Sequence, residues 1–199
     1  MSTHGPPPRR IVTINGSASA NDNSGSWEPA VTIVEEEIPR VSLLQDQAAK
    51  YPIFTHMQVP VDANEPWKSP EAQADAIPHQ GVNVQFLDLA PGARVPLHRT
   101  ISVDYMIFLS GEVILGVPDK AYDASKGEAP LIRRITCRPG DVVVQRGTLH
   151  YWENPSQTIW ARYVGVGVRS QPLKIAIENE NTGHENSKWT RELQPAWYS

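Results

Sequence analysis

The sequence predicts an all-β protein, and three observations lead to that class. From Gly81 onward, short apolar runs rich in Val, Ile, Leu and aromatics follow one another closely, each bounded by Gly or Pro. Two of the boundaries are Pro-Gly pairs, Pro91-Gly92 and Pro139-Gly140, where the second residue of the turn needs a positive φ. The composition, 40% hydrophobic and 20% charged over 199 residues, is that of a chain able to bury one core.

Taken in order, residues 1–26 read as a flexible Pro-rich arm followed by a first strand. The strand is Arg10-Ile-Val-Thr-Ile14, stopped by Asn15-Gly16 and the polar tract Ser17 to Ser26. Residues 27–80 form an N-terminal extension. Ala30 to Val34 supplies a second strand, Ser42 to Tyr51 a brief helix, and Ile53 to Val59 another strand closed by Pro60. Residues 61–80, with prolines and many charges, read as a long connection covering one mouth of the fold. The core spans 81–170. Its strands are expected at Val82–Leu89, Val95–Thr100, Asp104–Leu109, Glu112–Val117, Leu131–Thr136, Asp141–Gln145 and Ile159–Val168, with a polar hairpin loop from Pro118 to Pro130. A short tail, 171–199, holds a possible strand at Leu173–Ile177 and two late tryptophans, Trp189 and Trp197, which need a surface to pack against.

Composition also removes classes of function. The formal net charge of −4 and the lack of a basic, aromatic-interleaved surface argue against a nucleic-acid partner. No apolar stretch reaches the length of a membrane span, and the N-terminus lacks the pattern of a secretory signal. The expected compartment is the cytoplasm. Cys137 is the only cysteine, so no intrachain disulfide forms, and its place before a turn reads as a small buried hydrophobe.

Two stretches carry the chemistry. The first is Gly92-Ala-Arg-Val-Pro-Leu-His98-Arg-Thr100-Ile-Ser-Val-Asp104, followed by Gly111; the second is Gly140-Asp-Val-Val-Val-Gln-Arg-Gly147-Thr-Leu-His150-Tyr-Trp-Glu-Asn154. Strands alternate faces at every residue, so His98 and Thr100 share one face, Asp104, Met106 and Phe108 a second, and His150 and Trp152 a third. If these faces turn inward they enclose a small-molecule pocket, with a few polar groups in an apolar wall. Gln85, on the strand Val82–Leu89, is a further candidate contact, together with Asn83 on the same face. Tyr105 and Tyr151 point away by parity, and His56 is the one isolated histidine placed to reach a pocket.

The paired stretches resemble the two signature motifs of the cupin superfamily, and in particular a subgroup of single-domain cupins found in fungal polyketide and natural-product pathways. The resemblance implies a jelly-roll β-barrel with the N-terminal extension and short C-terminal tail described above. It implies a homodimer in which one subunit's N-terminal strand joins its neighbour's sheet. It also implies an interior site containing His98, Asp104 and His150. Two positions depart from the family pattern: Thr100 stands where a second histidine binds metal, and Asp104 stands where a glutamate is usual. Two imidazoles and one carboxylate remain, a set sufficient for Zn²⁺ or Fe²⁺ with open positions. The same set suffices for metal-free acid/base work, in which a carboxylate beside an imidazole fixes its tautomer and raises its pKa.

The function expected from this site is that of a lyase or isomerase on an oxygenated, polyketide-type small molecule, by dehydration or relocation of a double bond. His150 would move the proton, Asp104 would orient His150, and His98 would hold the developing enolate by hydrogen bond or through a bound metal. Thr100, Met106, Phe108, Trp152 and Gln85 would line the substrate. An oxygenase holding a metal on His98, Asp104 and His150, and a barrel that binds a ligand without converting it, are the alternatives.

Overall fold

In a computed structural model of the chain, described over residues 6–16, 28–63, 67–68, 80–177 and 189–198, all regular structure is β apart from one 3₁₀ turn at Ala124–Lys126. The tract Ser17 to Ser26 and most of the connection over 61–80 lie outside the described residues.

The N-terminal strands β1 (Arg9–Asn15) and β2 (Val31–Glu37) pair with each other along their whole length. β2 runs on through all three glutamates because they pair with Arg9, Arg10 and Ile11; Arg10 forms an ion pair with Glu36 directly opposite (2.8 Å), and Arg9 reaches diagonally to Glu35 (2.6 Å). The helix expected over Ser42 to Tyr51 is absent. In its place β3 (Val41–Leu43) and β4 (Ala48–His56) form a hairpin, reversed by Leu44, Gln45 and Asp46, all in the left-handed region (φ 50, 56 and 66°). The backbone turn is supported by Asp46, whose carboxylate accepts from Ser42 and Arg40. Local propensity loses here to sheet pairing: β4 joins β5 (Val82–Leu89) and buries Ala48, Ala49, Lys50 and Tyr51.

The remaining strands are β6 (Leu97–Arg99), β7 (Ser102–Ser110), β8 (Val113–Pro118), β9 (Ile132–Cys137), β10 (Val142–Arg146), β11 (Tyr151–Glu153), β12 (Ala161–Arg169) and β13 (Leu173–Ile177); all fall close to their expected positions except β11, where no strand was expected. The tail adds β14 (Trp189–Leu193), paired with β13, and β15 (Ala196–Tyr198), paired with β6.

Two sheets organise the molecule. One has six strands in the order β10-β7-β12-β5-β4-β3, and the other has three, β11-β8-β9. Their facing sides share one core: Leu89, Met106, Phe108, Ala161 and Tyr163 from the large sheet, with Val113, Leu115, Cys137 and Trp152 from the small one. Cys137 is buried in that core, as its neighbours suggested. Gly116 sets the tightest contact in the small sheet, because a Cβ there would lie 2.1 Å from the ring of Tyr151.

Asn154 ties the two sheets together. It is 1% exposed, donates to the carbonyls of Leu89 (3.0 Å) and Ile159 (2.8 Å), and accepts from the backbone of Ser156 (3.0 Å). Replacing it removes several satisfied hydrogen bonds at once and leaves their buried partners bare. Asn154→Ala is therefore expected to lower stability by about 2–3 kcal/mol, read as a fall in the urea midpoint at unchanged slope.

Candidate active site

A cavity of about 550 Å³ lies between the two sheets. One wall is built by the backbone pairing of the two motifs. His98 and His150 exchange both hydrogen bonds, N–H of His98 to O of His150 (2.8 Å) and N–H of His150 to O of His98 (2.9 Å). Residues opposed in this way project their side chains to the same face, so the rings meet with centroids 4.3 Å apart. Both are buried, at 9% and 3% exposure. Trp152 lies edge-on to His150 at 5.4 Å and closes the apolar side.

Each ring is oriented by a backbone carbonyl two residues earlier. Nδ1 of His98 donates to Pro96 O (2.8 Å), and Nδ1 of His150 donates to Thr148 O (3.0 Å). A carbonyl can only accept, so in the neutral imidazole the proton sits on Nδ1 and Nε2 carries the lone pair. Gln145 braces the same turn, its amide donating to the carbonyl of Thr148 (3.0 Å) and to its hydroxyl. This corrects the expectation that Asp104 orients His150. It also removes the hydrogen-bonding role expected of His98 toward an enolate, since a bare Nε2 accepts and does not donate.

The opposite wall is the inner face of the large sheet, where the strand register sets the polar groups in a row. Gln145 stands opposite Asp104, Asp104 opposite Gly167, Gly167 opposite Asn83, and Asn83 opposite Thr55. Asn83 donates to the Thr55 hydroxyl (3.0 Å). In the next row Met106, Gly165 and Gln85 align. A Cβ on Gly165 would come within 3.2 Å of Leu87, so glycine keeps the floor open between the polar side chains.

Asp104 keeps its own company. Its Oδ2 accepts from Thr100 (3.1 Å) and lies 3.0 Å from Ser102 Oγ, which also reaches Thr100 (2.8 Å). Its Oδ1 is buried without a hydrogen-bond partner. Among the described residues no three His, Cys, Asp or Glu side chains gather closely enough to hold a metal ion. The two imidazoles have the lone pairs and the carbonyl partners that metal ligation uses. Asp104, bound to two hydroxyls, does not complete a set of three with them.

Burial decides the protonation of all three groups. Desolvation lowers His98, and it pushes His150 down to about 3, with the neighbouring His98 adding to the effect. Desolvation raises the Asp104 carboxyl above its ordinary value, against the opposing hydrogen bonds of Ser102 and Thr100. The upward shift expected of an imidazole beside a carboxylate is thus reversed in sign by desolvation of the rings.

Most of the residues singled out in the sequence line this cavity: His98, Thr100, Asp104, His150 and Trp152, with Met106 and Gln85. Phe108 does not. It is 1% exposed and packs against Trp152 and Tyr163 in the core. Asn83 faces the cavity with Gln85, whereas His56 turns aside to pack on Phe54. Tyr105 is exposed, as parity required, and Tyr151 lies buried under Arg94, whose guanidinium sits 3.7 Å above its ring. Lys50, Thr55, Gln145 and Trp197 also line the cavity and were not anticipated. Parity along β10 would have found Gln145, since Val144 and Arg146 point outward. Lys50 was hidden by the helix expected over its segment.

The shifted histidine has a measurable consequence. With a folded pKa of about 3 against an ordinary 6.5, the unfolded chain binds the extra proton between those values. The stability contributed by neutral His150 is therefore complete above pH 6.5 and is lost as pH falls toward 3. His150→Phe is expected to flatten the decline in urea midpoint between pH 7 and pH 4, measured with chelator present, by on the order of a few kcal/mol.

No family model matches the chain. It is 39% identical over 95 residues to the phomopsin biosynthesis cluster protein D of Diaporthe leptostromiformis, a match covering 48% of this chain and 44% of that protein. It is 30% identical over 135 residues to a cupin-domain-containing oxidoreductase of Hypocrea virens, covering 65% of this chain and 63% of that one. A solved structure of oxalate oxidase is 23% identical, with a TM-score of 0.36, over 44% of this chain and 42% of that chain. The chain thus spans less than two thirds of the length of these relatives. By its sequence matches the chain is similar to fungal cupin-domain-containing oxidoreductases and to fungal biosynthesis-cluster proteins.

Proposed function

We propose that the protein is an enzyme of a fungal biosynthetic pathway that moves protons on an oxygenated, polyketide-type small molecule, removing water or relocating a double bond. The observation that carries this reading is the opposed pair of proton sites: neutral imidazoles with bare Nε2 on one wall, and a carboxyl with a raised pKa and an unpartnered Oδ1 on the other. His150 Nε2 takes a proton from the carbon beside a carbonyl. Asp104, when it carries a proton, delivers it to the departing hydroxyl, which leaves as water. For a double-bond shift the same two groups exchange a proton between carbons. The amides of Gln85 and Asn83 hold the carbonyl oxygen as charge builds on it. The cavity walls would be the two halves of a jelly-roll barrel, and the substrate would fill the open floor over Gly165 and Gly167.

A second reading is favoured by one further observation, the names of the relatives as oxidoreductases. A divalent ion on the Nε2 atoms of His98 and His150 would supply redox or Lewis-acid chemistry. Asp104 would have to leave its hydroxyl partners to join it.

The reading as a soluble small-molecule enzyme includes a homodimer. Tyr105, Ile107, Leu109, Val142 and Val144 are exposed together on the outer side of β7 and β10, the edge of the large sheet, an apolar surface suited to a second copy. No helix among the described residues is long and apolar enough to cross a membrane.

Deleting the gene in its host and weighing the compound that accumulates tests the reaction class. An accumulating compound that is isomeric with the pathway product, or heavier by one water, is expected. One that differs by two hydrogens or by an oxygen would replace this reading with the oxidoreductase. With that compound in hand, His150→Gln is expected to lower turnover by about 10²–10⁴-fold, with wild-type activity unchanged by chelation. For the dimer, light scattering should give twice the chain mass for the wild type and the chain mass for Val144→Lys.

A further inference from the structure

Strand β15, more than forty residues beyond the second motif, lays Trp197 across His98. The indole and imidazole planes are within 11° of parallel, with centroids 4.5 Å apart. His150 flanks the same imidazole at 4.3 Å, so His98 makes ring contacts with both. Trp197 itself is 66% exposed, an unusual position for so large an apolar side chain, and it lines the cavity. The strand that carries it is held in a fixed register, Trp197 opposite His98, Ala196 opposite Arg99 and Tyr198 opposite Leu97. Arg99, on the outward face of β6, pins the approach to this strand by donating to the carbonyl of Gln194 (3.3 Å).

The hydrogen bond from Nδ1 to Pro96 restrains the His98 ring at one atom, and the parallel stack restrains its plane. We propose that Trp197 is a positioning residue of this site: its indole sets the ring plane of His98 and covers that ring on the solvent side, so that Nε2 is reached only through the cavity. The importance of a fixed His98 rests on the proton-transfer reading above; the cover itself is a geometric matter and is tested without turnover.

The test is acylation by diethyl pyrocarbonate, which attacks the unprotonated imidazole nitrogen. Wild-type protein, Trp197→Ala and Trp197→Phe are treated at neutral pH with chelator present, and each histidine is followed by peptide mass mapping. In Trp197→Ala the His98 rate should rise about tenfold, the loss of a stacked partner. In Trp197→Phe it should return toward the wild-type rate, because an aromatic plane is restored. His56, remote from the strap, should react equally in all three and reports on the fold. If the alanine variant unfolds, every histidine accelerates together, and Trp197→Leu, which keeps an apolar anchor without a stacking plane, takes its place with the same expected rise at His98. An unchanged His98 rate in a folded Ala or Leu variant overturns the proposal. Loss of the proposed reaction with the acylation pattern intact would overturn the function and leave this assignment standing.

Discussion

The reciprocal pair of backbone hydrogen bonds between His98 and His150 is the constraint on which the site depends. It joins two motifs fifty-two positions apart, and because it is a hydrogen-bonded antiparallel pair it forces both side chains to one face. Two imidazoles held at 4.3 Å in a buried wall cannot both carry charge cheaply. Their neutrality follows from the pairing together with burial, and so does the exposure of two lone pairs to one cavity. The turns that precede each histidine complete the arrangement by placing a carbonyl behind each Nδ1.

The facing wall depends on a different kind of order. Antiparallel register across β10, β7, β12, β5 and β4 sets four polar side chains and Gly167 at one level, and a slip of one residue in β10, β7, β5 or β4 would turn its polar group outward. The glycines of β12 matter here for what they omit. At Gly165 a side chain would press on Leu87 and Met106 and raise the floor into the space between Met106 and Gln85. β12 is the middle strand of this face, so the missing side chains at Gly165 and Gly167 give the cavity its depth.

Much of this was legible in the sequence, and the limits have physical causes. Alternation and turn residues located nearly every strand of the core, and the two motif stretches located His98, Asp104, His150 and Trp152. The segment Ser42 to Tyr51 failed because its sequence is locally compatible with a helix, whereas the pairing that overrides it comes from β5, more than thirty residues away. Phe108 was misplaced because parity specifies a face and says nothing of depth along it: Asp104 and Met106 reach the cavity, and Phe108 on the same face is covered by Trp152 and Tyr163. Trp197 could be recognised as needing a partner, but its partner, His98, is known only once β15 has paired with β6.

Burial also inverts the usual order of proton affinity in the site. In water a carboxyl near 3.8 releases its proton well before an imidazolium near 6.5. Here Asp104 lies above the first value and His150 at about 3 lies below it. These opposite shifts favour the proton on the carboxyl and the bare nitrogen on the imidazole, the forms that the proposed reaction uses as acid and base. The hydroxyls of Thr100 and Ser102 moderate the inversion, since hydrogen bonds to a carboxylate favour its charged form. Thr100, where the motif departs from the cupin metal-binding pattern it resembles, thus acts with Ser102 to tune the carboxyl. A metal ligand at that place would compete for an ion; a hydroxyl there adjusts a proton.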